Sequence, residues 1–512
     1  MKLAAILALL SILFASSAAS AASNAPIVIV PIDDRPVTRQ LPEMLGAVAG
    51  IPVLEPPRAL LGNYLEAGDP DAISRWLASD ATKDAGAFVL SSDMLVYGGL
   101  VASRVPGVPA WLGYSRLRYA TALRALHPEA LFYGFGTVMR LAPTGVPALG
   151  PAATFFAAGE TYDLITRYAN HPDTALAARI GAPLDAYLAT RRRNLDVDLF
   201  ALRLTAEGGF DRFVLGQDDA GAQGVHVADL AALHRARTQW GWGLIQRTSI
   251  EPGADELAMI MEADAFAKRA GWIPRVAVTW SQPDGPRLED PLEFAPLENT
   301  VDQVIRSCGA AQVTSSPDIE LFVRVRYTSS AQETAFVDAI SSAIARGELV
   351  TVVDLTFLGA PYEEQRQLVE TLIARKLAGK LAGFASWNTA ANSLGTALPA
   401  AIAVGVGKRL GTFSARALAE LLLDRYVDDY AFHDFVRPQL DDELTARHVD
   451  HTYLLPDVAH RTASDNRALL WPHAVDLLDA IFPGYRDNGL TITLPWDRTF
   501  ETEIDVQLRL RS

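Results

Sequence analysis

From Ile27 onward the chain alternates between two kinds of segment, and that alternation narrows its fold to one class. Short apolar, β-branched runs recur: Ile27–Ile32, Ala87–Leu90, Leu131–Phe135, Arg212–Leu215, Val276–Trp280, Leu321–Val325, Val350–Val353 and Leu381–Ala385. Runs of this length read as strands buried on both faces. Between them lie stretches with helical spacing, such as Asp71–Ala81, Leu117–Leu126, Thr161–Tyr168, Leu184–Leu202, Ala228–Trp240, Asp255–Ala270 and Tyr362–Leu377. Strands alternating with helices imply parallel βα units with helices packed outside the sheet. About eight strands suit a (β/α)8-like barrel or a distorted relative, and two doubly wound domains in tandem fit the same count. With no Gly/Pro/Ser linker between residues 26 and 400, the expectation is one α/β body over 26–400. Residues 401–512 read as a mainly helical region. Leu490–Leu494 and Glu503–Leu510 alternate apolar and polar residues, the pattern of a terminal β-hairpin turning at Pro495-Trp496-Asp497-Arg498.

The N-terminus is expected to lie outside this fold. Lys2 precedes an apolar run, Leu3–Phe14, too short for the ~20 residues of a membrane span, and small residues follow from Ala15 to Ala25. This is the pattern of a secretory signal peptide within residues 1–25, cut between about Ala19 and Ala25, which places the mature protein in the periplasm or outside the cell. No later run reads as a membrane span. The 512 residues carry 45 Lys+Arg against 60 Asp+Glu, a net charge of −15 with no basic block, which argues against nucleic-acid partners. Cys308 is the single cysteine, so no intramolecular disulfide can form.

Polar residues gather where the strands end, which is where parallel α/β folds bind ligands. Those ends carry Asp33, Asp34 and Arg35; Asp93; Thr137 and Arg140; Gln217, Asp218 and Asp219; Asp354; and Trp387, Asn388 and Asn392. Such residues also cap helices and begin turns, so any single position has a plain structural explanation. Asp218-Asp219, followed by Ala220-Gly221, carries the clearest chemistry. Two adjacent carboxylates do not both ionise easily in a dry pocket, so one becomes a general acid while the other orients a neighbouring group. Glycosidases that use substrate assistance employ adjacent acids in this way. Arg35 is placed to clamp one of Asp33 and Asp34 and leave the other free. Asp93, the Gly98-Gly99 pair and Arg104 share one connection, where paired glycines would let backbone approach a ligand. Trp387 offers a stacking face and Asn388 and Asn392 offer amides for paired hydroxyls. Asp255 or Glu256 could face the same cleft.

Other chemistries find no support. HExxH, a Cys/His cluster, Gly-x-Ser-x-Gly, GxGxxG after a strand and the GxxxxGK[ST] phosphate loop are all absent. No cofactor is expected. An oxygen-rich divalent-cation site built from Asp33, Asp34, Asp93 and Asp218 remains open.

The run Pro31-Ile32-Asp33-Asp34-Arg35-Pro36-Val37-Thr38-Arg39-Gln40, with Pro56-Pro57-Arg58 and Leu61-Gly62-Asn63-Tyr64, resembles the bacterial family catalogued as domain of unknown function 4127. Ser92–Leu95, Tyr97–Arg104, Gly216–Ala220, Gly253–Glu256 and Trp387–Ser393 resemble it too. The resemblance implies an exported bacterial protein and supplies no reaction.

The expected function is therefore an exported hydrolase, most plausibly a glycoside hydrolase. Asp218 and Asp219 would be catalytic, and Asp33, Asp34, Arg35, Asp93, Arg104, Gln217, Trp387, Asn388 and Asn392 would bind a glycan or other small molecule. The alternatives are a non-catalytic carbohydrate- or ion-binding protein and a metal-dependent hydrolase using the Asp cluster.

Overall fold

A computed structural model describes residues 25–144, 160–326 and 329–511; the expected signal peptide lies almost wholly outside them. The parallel strands do not close into the expected barrel; they take the doubly wound alternative that the same strand count allowed. They divide into two open sheets. The first has the order Val53–Leu54, Ile27–Val30, Ala87–Ser91, Leu131–Val138, Arg212–Gln217, Thr248–Pro252, and every neighbouring pair is parallel. The second has the order Ala311–Gln312, Arg275–Trp280, Ile319–Arg324, Leu349–Asp354, Gly383–Ala385, again all parallel. In each sheet the second strand returns to the outer side of the first, and the third begins the opposite direction of growth. That reversal is the doubly wound arrangement. Thr248–Pro252, Val53–Leu54 and Ala311–Gln312 are short and carry too little hydrophobic pattern to be counted from sequence, and the unbroken run without a linker over 26–400, which had favoured the barrel, instead reflects two sheets that share one core.

One continuous core joins the two sheets. It contains Ile27, Ile29 and Val89 of the first sheet, Val323 and Val353 of the second, and the helices Leu257–Arg269 and Ala390–Leu410. Helix Ala390–Leu410 is also packed against Gln40–Ala49 and against strands of the second sheet. By length and composition alone it is long and apolar enough to cross a membrane. Its most apolar window is wholly enclosed by protein, so burial against other helices accounts for its composition.

The tail is mostly helical, with Ala415–Arg425, an eleven-residue π-helix Tyr426–Val436, Arg437–Ala446 and Pro456–Ile481. Two antiparallel pairs follow. Thr491–Thr493 pairs with Glu503–Asp505, as the alternation predicts, and Tyr485–Asp487 pairs with Leu508–Leu510.

Glu262 sits in the middle of Leu257–Arg269 with no exposed surface, and neither carboxylate oxygen has a hydrogen-bond partner among the described residues. Burial, with Glu55 and Glu43 nearby, holds its pKa well above the usual carboxylate value, so the fold favours its neutral form. A raised folded pKa stabilises below the unfolded value, near 4.5, and that contribution is lost as pH rises, by about 1.4 kcal/mol per unit. Glu262→Gln is therefore expected to match the parent at pH 5 and to exceed it in stability at pH 8. Urea unfolding at the two pH values checks this; equal stability at pH 8 would contradict it.

Candidate functional site

The carboxyl ends of the first sheet meet the start of helix Ala390–Leu410 around a cavity of about 530 Å³, within the usual range for small-molecule sites. Strand ends supply Arg35, Gln217, Asp218, Asp219 and Asp255, and the connection after Ala87–Ser91 supplies Arg104. Arg140 follows Leu131–Val138, and Asn388, Thr389 and Asn392 follow Gly383–Ala385. The tail adds Asp450, Thr452, Trp496, Arg498 and Phe500.

Asp218 and Asp219 both line this cavity and have different partners. Asp218 is almost fully buried and takes Nη2 of Arg104 at 2.5 Å. Asp219 is more open, and Arg140 Nη1 reaches it at 3.3 Å. Burial first, and the neighbouring Asp218 carboxylate second, raise the Asp219 pKa, while Arg140 and Arg104 hold it back. Two adjacent carboxylates thus acquire distinct environments from two arginines on different connections.

Gly253 lines the cavity beside them and must be glycine. Its φ is +99°, and a Cβ there would lie 1.9 Å from Oε1 of Glu256. Glu256 turns inward rather than into the cleft. Its Oε2 accepts from the Ala254 N–H at 3.1 Å and from Asn392 Nδ2 at 2.5 Å, and Asn388 Nδ2 in turn donates to Asn392 Oδ1 at 2.6 Å. Two carboxylates cap the helix that follows: Ala390 N–H donates to Asp290 and Ala391 N–H to Glu293. Burial raises the Glu293 carboxyl to about 7, with Asp290 adding to the rise.

Four expected binding residues do not line the cavity. Asp33 lies behind Arg35, with Nη2 of Arg35 at 2.7 Å, and the same guanidinium grips Asp255 at 2.5 and 3.0 Å. Asp34 is not left free, because the indole N–H of Trp496 donates to it at 2.7 Å. Asp93 is buried and accepts from the Thr137 N–H and hydroxyl at 2.9 and 3.1 Å; burial raises it to about 7, against those hydrogen bonds. Trp387 is a core residue whose indole N–H donates to Thr396 Oγ1, so it offers no stacking face to a ligand. The Gly98-Gly99 pair approaches protein backbone rather than a ligand: a Cβ on Gly98 would meet the Gly68 carbonyl at 2.7 Å, and one on Gly99 the Ile32 carbonyl at 3.2 Å.

The four aspartates of the candidate cation site are thus each committed to protein donors and do not converge. Among the described residues no group of three His, Cys, Asp or Glu is placed to hold a metal ion. The aromatic residues of the cavity, Tyr64, Tyr162, Trp496 and Phe500, were not assigned to a site by the sequence pattern. Tyr64 and Trp496 are 432 positions apart and stack at 4.8 Å, a proximity that no local pattern encodes.

These features define a doubly wound α/β protein with a polar, ligand-sized pocket at its strand ends. The chain belongs to the family described as "Protein of unknown function (DUF4127)", whose profile matches residues 27–505. No curated protein and no solved structure matches the chain.

Proposed function

We propose that this protein is an exported carbohydrate-active enzyme whose pocket binds a polyhydroxylated ligand and hydrolyses a glycosidic bond. One observation carries the ligand class. The charged groups of the pocket are paired with one another, Arg104 with Asp218 at 2.5 Å and Arg140 with Asp219 at 3.3 Å, and the amides of Asn388 and Asn392 line the same cavity. A sugar hydroxyl both donates and accepts, so a polyhydroxylated ligand suits a lining that mixes carboxylates, guanidiniums and amides. The charges fit as well. Arg35, Arg104, Arg140 and Arg498 each already face a carboxylate, so the pocket suits hydroxyls better than a strongly charged ligand.

In this reading Asp219 gives its proton to the glycosidic oxygen as the C–O bond breaks and the alcohol leaves, Asp218, fixed by Arg104, orients the sugar at the reacting carbon, and water adds to that carbon and returns a proton to Asp219. A second reading is binding without turnover, in which the same cleft holds a sugar or an ion. A panel of aryl glycosides and bacterial polysaccharides separates them. Release of aglycone or reducing ends is the expected result. Saturable binding with no product would establish the second reading, and neither binding nor product would remove both.

A further inference from the structure

Asp34 belongs to the Asp33-Asp34-Arg35 loop that follows Ile27–Val30, yet it does not line the pocket. Its Oδ1 accepts the indole N–H of Trp496 at 2.7 Å, and its Oδ2 faces Arg58 and Asn63 at 3.4 Å. The same neighbourhood ties the N-terminal loop to the tail at further points. Asn63 Nδ2 donates to the Pro495 carbonyl at 3.1 Å, and Gln40 Nε2 donates to the Ile504 carbonyl at 2.6 Å. Glu503 accepts from Arg39 at 2.8 Å and from Arg58 at 2.9 Å. Trp496 is buried, stacked on Tyr64, with the guanidinium of Arg35 4.9 Å and that of Arg498 4.6 Å from its ring centre. Arg498 also lies over Phe500, at 4.9 Å. Segment 495–500 therefore presents Trp496, Arg498 and Phe500 to the pocket as one unit, organised about the indole.

We propose that Asp34 is a positioning residue for the pocket: by holding the Trp496 indole N–H it seats segment 495–500 as a wall, which makes the C-terminal segment part of the ligand site. The interaction is a hydrogen bond to a carboxylate, sealed from water on both sides, and such bonds are stronger than neutral ones. Removing the carboxylate leaves the indole N–H of Trp496 without its acceptor and faces Arg58 and Asn63 with an empty space. Within the tail the segment is also held by the Leu454 N–H, which donates to the Asp497 carbonyl at 2.7 Å, and by the Thr499 N–H, which donates to the His451 carbonyl at 3.2 Å; the indole is the bond that ties its pocket-facing side to the N-terminal loop. Asp34 would seat the wall in the same way whether or not the ligand is a sugar or is turned over.

Hydrogen exchange of the full chain without ligand, read by mass spectrometry on peptides covering 488–505, tests it. Asp34→Ala is expected to speed exchange there roughly tenfold and to leave peptides over Arg212–Gln217 unchanged. Trp496→Phe, which keeps the ring and lacks the N–H, should reproduce that change, and Asp34→Ala/Trp496→Phe should add nothing further. Asp34→Asn keeps an acceptor oxygen and should exchange like the parent. If Asp34→Ala does not fold, the contrast between Asp34→Asn and Trp496→Phe decides alone. Unchanged exchange over 488–505, additive single substitutions, or acceleration spread evenly over the core would each overturn the proposal.

Discussion

Asp219→Asn is expected to lower turnover of any glycoside this protein cleaves by about 10²–10⁴-fold, with little change in KM. Asn keeps the shape and polarity of the side chain, so ligand contacts persist, but it has no proton to give to a departing alkoxide. Asp219 is the candidate because it combines exposure to the cavity with a pKa raised by burial and by Asp218. The raised value works in the required direction: Asp219 keeps its proton to a higher pH than an ordinary aspartate, and activity should fall on the alkaline side as that proton is lost. Asp218→Asn should behave differently. It removes the partner of a buried Arg104, so KM and kcat should both suffer and the pH profile should shift. Initial rates against pH for the parent and both variants provide the check. Full activity in Asp219→Asn would end the assignment, whereas a variant that binds and does not turn over would support it.

Arg425→Met is expected to cost about 3–5 kcal/mol of stability at pH 8, measured by urea unfolding, because it strips the cation from a buried acidic cluster. Arg425 is sealed in the interior and meets Asp424 at 2.5 Å, Asp429 at 2.9 Å and Asp428 at 3.1 Å. Burial raises Asp428 to about 8 and Asp429 to about 7, even with the arginine opposing the rise. The sign follows from those directions. With folded pKa values above the unfolded one, these groups favour the folded state at low pH, and that contribution is lost as pH rises through about 7 to 8. The penalty of Arg425→Met should therefore shrink at pH 5, where the carboxyls bind protons and no longer need the cation. A penalty independent of pH would show that lost packing, not charge, is responsible. The cluster also bears on the pocket. Asp429 accepts the Ser386 N–H at 2.7 Å, two residues before Asn388, so a milder variant such as Arg425→Lys should loosen the Asn388–Asn392 turn before the whole chain unfolds.

Much of the pocket was legible in the sequence because strand-end residues are named by local pattern. An apolar run, a polar cluster and a helical stretch follow one another in the chain, so Arg35, Arg104, Gln217, Asp218, Asp219, Asn388 and Asn392 could be picked out, and all seven line one cavity. The same logic misplaced Asp33, Asp34, Asp93 and Trp387, since a residue next to a site is as often its support as its surface. Asp33 holds Arg35, Asp34 holds Trp496, Asp93 holds Thr137, and Trp387 fills the core.

The sequence by itself determined the class of structure: parallel α/β units with a helical tail, and acidic and amide groups waiting at the strand ends. Hydrophobic periodicity and turn chemistry act over a few residues, and a single chain displays both. Only the tertiary structure decided that the strands form two open sheets rather than one ring, because strand order depends on which edges pair and not on how many strands there are. It also decided that the pocket's aromatic wall is Trp496 and not Trp387. The Asp34–Trp496 bond spans 462 positions, and a contact that long is set by the packing of whole elements, which no local spacing records.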